Sequence, residues 1–199
     1  MGGRPLKCGL RPDKINETNQ SRSNARPFVS NSIRATVLCL VINASLPSYA
    51  VEEFRHTITG ELLDLSLAKG TDTEAVKQFK EGGKNPYNAN LEAIKKGGRL
   101  YLSACSGCHG HNAEGKLAPG LADDYWTYPK NATDKGLFET LYDGAQGMMG
   151  PQRGNLTIDE MLLIMSWMRS VYQGDPEKAE WLTPEEQKNF KPATHDIAK

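Results

Sequence analysis

Cys105, Cys108 and His109 are the residues whose types and spacing do chemistry together. They form the run Cys105-Ser106-Gly107-Cys108-His109, a C-x-x-C-H pattern. Two thiols at this spacing can each close a thioether with one vinyl group of a haem, and the next residue then offers its imidazole to the iron. Other uses of a close cysteine pair compete with this one. A zinc site needs two further ligands at comparable spacing, and no second cysteine pair follows. A thioredoxin-like redox pair belongs in a βαβ setting and has no use for the adjacent histidine. A plain structural disulfide is the simplest alternative. The flanking sequence favours attachment of one haem c, with Cys105 and Cys108 as covalent anchors and His109 as an axial ligand.

Six-coordinate iron needs a second ligand, either a methionine sulfur or another imidazole. Met161, Met165 and Met168 recur at helical spacing, where packing is their ordinary role. Met148 and Met149 differ. They sit in the loop Gly144-Ala145-Gln146-Gly147-Met148-Met149-Gly150-Pro151, whose glycines let backbone lie flat against a ring. Met149, stiffened by the following Gly-Pro, is the first choice and Met148 the second. His111 is too close to His109 to reach the far side of the iron. His56 and His195, near the ends of the exported chain, read as solvated side chains. Around this centre, the Pro119 carbonyl is placed to accept the His109 N–H. Trp126 and Arg153, with Tyr125 and Tyr128, are candidates to contact the haem propionates.

Helices must position these groups. Asn90 to Ala104 reads as one, with Leu91, Ile94, Leu100 and Tyr101 apolar. Gly97-Gly98 inside it costs about 1 kcal/mol per glycine relative to Ala, a cost tolerated where another backbone approaches closely. Thr157 to Tyr172 reads as a second helix, opened by a Thr157–Glu160 capping box and apolar on two faces, so it is expected between two partners. Asp134 to Tyr142 is a third, with Leu137, Phe138 and Leu141 inward. Thr73 to Glu81 is a short fourth with Asp72 as its cap. Glu61 to Ala68 reads as a strand or extended arm, and the tail after Glu185 as a polar segment.

The whole chain is 199 residues, 38% hydrophobic and 24% charged, with zero formal net charge. The charge is unevenly spread. Residues 1–50 carry seven basic and two acidic residues, leaving seventeen basic and twenty-two acidic in the rest. That balance argues against a nucleic-acid partner, and no apolar run is long enough to span a membrane. Arg34, the apolar run Ala35–Ile42 and the ending Ser48-Tyr49-Ala50 form a secretory signal pattern. Residues 1–50 are therefore read as leader, cleaved near Ala50 on export to the periplasm. Residues 51–88 form an N-terminal extension, 89–174 the haem domain and 175–199 a C-terminal tail packing on or near it.

In this order, helix, C-x-x-C-H, proline loop, methionine loop and final helix, the chain resembles the class I c-type cytochromes. Within them it is similar to the cytochrome c-L group. The residues that carry this closer likeness are Tyr101 through Gly110, the loop Gly147-Met148-Met149-Gly150-Pro151 and the run Leu156 to Leu162. The tail Gly174-Asp175-Pro176 to Trp181-Leu182-Thr183 and the upstream segment Asp72 to Asn88 carry it further. Gln152 departs from relatives with another methionine after Gly-Pro, which removes a rival to Met149. The resemblance implies an all-α fold of three or more helices around one covalently bound haem, with N- and C-terminal extensions. It implies a monomeric electron-transfer protein rather than an enzyme. The donor would be a quinoprotein methanol or alcohol dehydrogenase carrying pyrroloquinoline quinone, and the acceptor a smaller cytochrome c. A carrier for a different dehydrogenase or a terminal oxidase is the alternative, and an open-site haem sensor or enzyme a more distant one.

Overall fold

A computed structural model of the chain describes residues 52–194. The leader expected over 1–50, its cleavage point and His195 lie outside the described residues.

The long helices start where the sequence supplies an oxygen for their free N–H groups. Helix α1 is Glu74–Gly82, α2 Leu91–Ala104, α3 the single turn Ser106–His109, α4 Asp134–Asp143, α5 Ile158–Ser170 and α6 Pro184–Asn189. The Asn90 side chain accepts from Ala93 N at 3.0 Å to open α2. Thr133 opens α4. Thr157 and Glu160 exchange bonds in the expected capping box of α5. Helix α1 is capped by Thr73, which accepts from Val76 N, rather than by Asp72. Asp72 is instead engaged by the Lys80 ammonium, 2.7 Å from one carboxylate oxygen and 2.9 Å from the other.

Helices α2 and α5 cross at the centre. Gly97 permits it, because a Cβ there would overlap the Leu163 carbonyl of α5. Beside the crossing, the Tyr101 and Trp167 rings stack with centroids 4.3 Å apart. Helix α5 is buried on both faces, with Met161, Leu162, Ile164, Met165, Trp167 and Met168 all inside, as its two apolar stripes require. Helix α4 packs on α5 and on the 3-10 turn Pro129–Ala132.

The extension over 52–69 is an arm. Among the described residues, extended pairing is confined to the isolated bridges Arg55 to Leu62 and Lys69 to Thr157. The 61–68 segment therefore forms no regular strand; it runs on from the first bridge into a 3-10 turn at Leu65–Leu67. Phe54 anchors the arm between Phe79 of α1 and Phe138 of α4, each 5.4 Å away. His56, expected to be solvated, is pinned: its Nδ1 meets the Asp143 carboxylate at the end of α4. The tail returns as well. Ala193 N donates to Ser170 O at 2.7 Å, and Trp181 and Phe190 pack on Tyr172. The polar stretch after Thr183 is structured as α6 behind a second capping box.

Candidate haem site

The C-x-x-C-H run folds as one tight turn at the end of α2. His109 N donates to Cys105 O at 3.0 Å, and Cys108 O accepts from both Leu117 N and Ala118 N at 3.0 Å. The buried Tyr101 hydroxyl holds the chain just beyond by donating to Gly110 O at 2.8 Å. The loop that follows brings the Pro119 carbonyl back to His109, whose Nδ1–H donates to it at 2.8 Å. That bond fixes the tautomer and leaves Nε2 with its lone pair available to a metal.

Cys105, Cys108, His109, Pro119, Trp126, Met148 and Met149 all line one cavity of about 370 Å³. Leu137, Thr140 and Leu141 of α4 and Met168 of α5 line it as well. The two methionines are not equivalent within it. Met148 is 88% exposed, whereas Met149 is half-buried and packs against the hydrophobic core. Their loop leaves α4 at Gly144, whose φ of +87° lies in the region natural to glycine, and where a Cβ would sit 2.6 Å from Met149 O. Ala145 N donates to Met149 O at 2.9 Å, and Gln146 N donates to the Tyr128 hydroxyl at 2.9 Å. The loop is thus tied internally and to the opposite rim segment.

The two cysteines differ in their surroundings, Cys105 being half-buried and Cys108 exposed. They are not joined to each other by a disulfide. Burial, and secondarily Cys108, pushes the Cys105 thiol up to about 11, the reverse of the lowered value that activates a redox thiolate. Among the described residues no group of three His, Cys, Asp or Glu side chains is placed to hold a metal ion by itself. An apolar cavity with two thiols, an imidazole and a thioether on its walls fits a covalently attached haem by the chemistry of its donors.

Arg153 lies elsewhere than expected. It is not among the cavity residues; its guanidinium pairs with Asp143 and lies over the Tyr142 ring, 5.9 Å from the centroid. Asp143, ten residues before it, ends α4 at the base of the methionine loop. The cation that does stand behind the cavity wall is Arg169 of α5, 2% exposed, with Cζ 5.4 Å from the centroid of Trp126. Sequence reasoning passed over it. The available signal was a lone basic residue inside a helix apolar on two faces.

Known proteins can be set beside this geometry. The family model described as cytochrome c oxidase, cbb3-type, subunit III matches residues 92–168, the span from α2 into α5. Cytochrome c-L of Methylorubrum extorquens is 53% identical over 141 residues, which are 70% of this chain and 72% of that protein. The crystal structure of cytochrome cL from the marine methylotroph Methylophaga aminisulfidivorans superposes with a TM-score of 0.70 at 62% identity, over 72% of this chain and 96% of the other. That of cytochrome cL from Hyphomicrobium denitrificans gives 0.69 at 52% identity, over 74% and 89%. With identities of 52–62% over 70–74% of this chain, and the class I cytochrome c arrangement of helices in place, the chain belongs to the cytochrome c-L family of c-type cytochromes, which carry covalently bound haem.

Proposed function

We propose that this chain is the periplasmic electron acceptor of a quinoprotein methanol or alcohol dehydrogenase, passing single electrons on to a smaller cytochrome c. The observation that carries the reading is the convergence of Cys105, Cys108, His109 and Met149 on one cavity in a chain of the cytochrome c-L family. When bound, the haem supplies a one-electron ferric/ferrous couple.

The chain's own residues do the rest. Cys105 and Cys108 would hold the haem covalently. His109, oriented by the Pro119 carbonyl, would offer Nε2 as a ligand. Met149 would offer its sulfur from a loop tied to Tyr128 and closed on itself, and thioether ligation would raise the potential. Trp126, with Leu137, Leu141 and Met168, lines the cavity and would keep water from the haem. Side chains fixed in this way would suit outer-sphere transfer rather than substrate binding. Residues 1–50 serve as leader, 51–88 as the extension carrying the arm and α1, 89–174 as the haem domain and 175–199 as the tail. No helix among the described residues is long and apolar enough to cross a membrane.

The match to the oxidase-subunit family ends within α5 and takes in neither the arm nor the tail. The cytochrome c-L relatives cover a much larger share of the chain, so the dehydrogenase is preferred to an oxidase as partner. Export into cells competent for haem attachment, followed by haem staining of the denatured protein and mixing with reduced methanol dehydrogenase, tests the proposal. Stained protein reduced within the turnover time of the dehydrogenase is expected. Colourless protein, or red protein that the dehydrogenase leaves oxidised, overturns it.

A further inference from the structure

Three successive residues of the arm each take hold of α4. Arg55 N donates to Glu139 Oε1 at 2.8 Å, His56 Nδ1 meets the Asp143 carboxylate, and Thr57 Oγ1 lies 3.0 Å from Thr140 Oγ1. The third contact differs from the other two because it continues toward the haem cavity. Thr140 is 5% exposed. Its hydroxyl donates to Asn131 Oδ1 at 2.8 Å, with the Gly136 carbonyl a longer alternative at 3.2 Å. A hydroxyl has one proton to give. With that proton on Asn131, Thr140 is the acceptor toward Thr57, and Thr57 is the donor. A chain of hydrogen bonds thus runs from the half-buried Thr57 through Thr140 to Asn131.

Asn131 is held at three points. Its N donates to Tyr128 O at 2.9 Å, its O accepts from Arg169 Nη2 at 2.9 Å, and its Oδ1 accepts from Thr140. These bonds leave out Nδ2 and its two hydrogens. That atom is not sealed in: among the described residues, the buried side-chain atoms left without a partner are Asn88 Oδ1, Trp167 Nε1 and Arg169 Nη1. Asn131 is 6% exposed and lines the haem cavity, as Thr140 does. The open side of its amide is therefore the cavity side.

We infer that Thr57 of the arm is a positioning residue for the haem: through Thr140 it holds the Asn131 carboxamide with Nδ2 turned to the cavity, as a donor to a propionate carboxylate. This rests on the haem reading above and extends it to a residue that does not line the cavity. The ring nitrogens of a haem are bound to its iron, so its free acceptors are the propionate oxygens. Hydrogen bonds in a chain polarise one another, so the Thr57 proton makes Nδ2 at the far end a stronger donor. A donor on a propionate draws negative charge away from the carboxylate, which then favours ferric iron less. The arm thereby raises the potential of a group it does not touch.

The test is the ferrous/ferric ratio of the haem-loaded protein at a fixed mediator potential. Thr57→Val exchanges the hydroxyl for a methyl and is expected to lower that ratio about threefold. Thr57→Ser keeps the hydroxyl and is expected to match the parent. Thr140→Val is expected to lower the ratio at least as far as Thr57→Val. Combining the two valines should lower it no further than Thr140→Val alone, because both cut the same chain. A second readout is the Asn131 side-chain amide in NMR spectra of the ferrous protein, whose protons are expected to exchange with solvent faster in Thr57→Val than in the parent. If Thr140→Val does not load haem, the two Thr57 variants carry the test by themselves. An unchanged ratio in Thr57→Val, an equal loss in Thr57→Val and Thr57→Ser, or additive losses in the double variant, in red protein that retains its methionine charge-transfer band, overturns the inference. A parent that takes up no covalent haem would instead overturn the haem reading.

Discussion

At the scale of single residues, the two adjacent methionines give the sharpest contrast. Met149 packs against the core and Met148 stands almost wholly in solvent. Replacing Met149 by Ala is expected to abolish the long-wavelength charge-transfer band of the ferric protein and open the ferrous iron to carbon monoxide. Met148→Ala is expected to change neither, and the reverse result would exchange their roles. The sequence narrowed the choice to this pair by composition, since methionines in a glycine-rich loop have no packing reason to be there. It could not rank them by burial, because burial depends on how the loop closes between Ala145 and Met149. Tyr172 makes a second residue-level case. Burial first, then the negative charges of Asp124 and Asp175, push its phenol from an ordinary 10 up to about 12. The fold therefore favours the neutral hydroxyl. Its contribution is whole below about pH 10 and is lost as pH rises from there through about 12. Denaturant midpoints at pH 9 and above (roughly to 12) should fall more steeply for the parent than for Tyr172→Phe; parallel curves would show that Tyr172 plays no part in the alkaline transition.

At the scale of elements, the α2–α5 crossing and the base of the methionine loop are each held by a few identifiable atoms. Gly97→Ala would drive a methyl into the Leu163 carbonyl. Because backbone meets backbone there, the cost belongs at the upper end of overpacking, about 3 kcal/mol. Gly82→Ala, at the end of α1 with nothing within 4 Å of the added carbon, is expected to stabilise by about 0.5 kcal/mol. Thermal melts of the two variants separate a contact effect from a generic glycine effect. The loop base is spanned by Asp143, which ties Arg153 beyond the loop to His56 of the arm. Asp143→Asn is expected to loosen the loop by about 1.4 kcal/mol, so imidazole, which on the proposed ligation would displace Met149, should bind the ferric protein about tenfold more tightly. Unaltered imidazole affinity would assign the clamp to the arm alone. These elements also mark how far sequence reading reaches. Helices α2, α4 and α5 were legible to within two residues because capping residues and apolar periodicity agree. The Asp143 clamp was not, since His56 and Asp143 lie 87 residues apart and neither carries a local pattern. For Arg153, proximity in sequence to the methionine loop suggested a propionate contact but could not show the Asp143 carboxylate with which it pairs.

For the molecule as a whole, net charge and the character of the cavity rim act at different distances, and that difference is measurable. The chain beyond residue 50 has seventeen basic and twenty-two acidic residues, so its long-range field is negative and ionic strength screens it over about 10 Å at 0.1 M. Around the cavity mouth, by contrast, Leu117, Tyr125 and Met148 are 70%, 66% and 88% exposed and line the same opening. Contacts made there with a partner would be apolar and short, and salt would leave such burial nearly unchanged. Encounter should therefore be steered by charge, while transfer within the complex is governed by the rim. In rapid mixing with reduced methanol dehydrogenase, the second-order limb is expected to fall steeply as salt is raised, with the saturating rate at high cytochrome concentration unchanged. Leu117→Ser combined with Met148→Ser should do the opposite, lowering the saturating rate while preserving the salt slope. If salt depressed both limbs in proportion, charged contacts would persist in the productive complex, and the apolar rim would not be where the electron crosses.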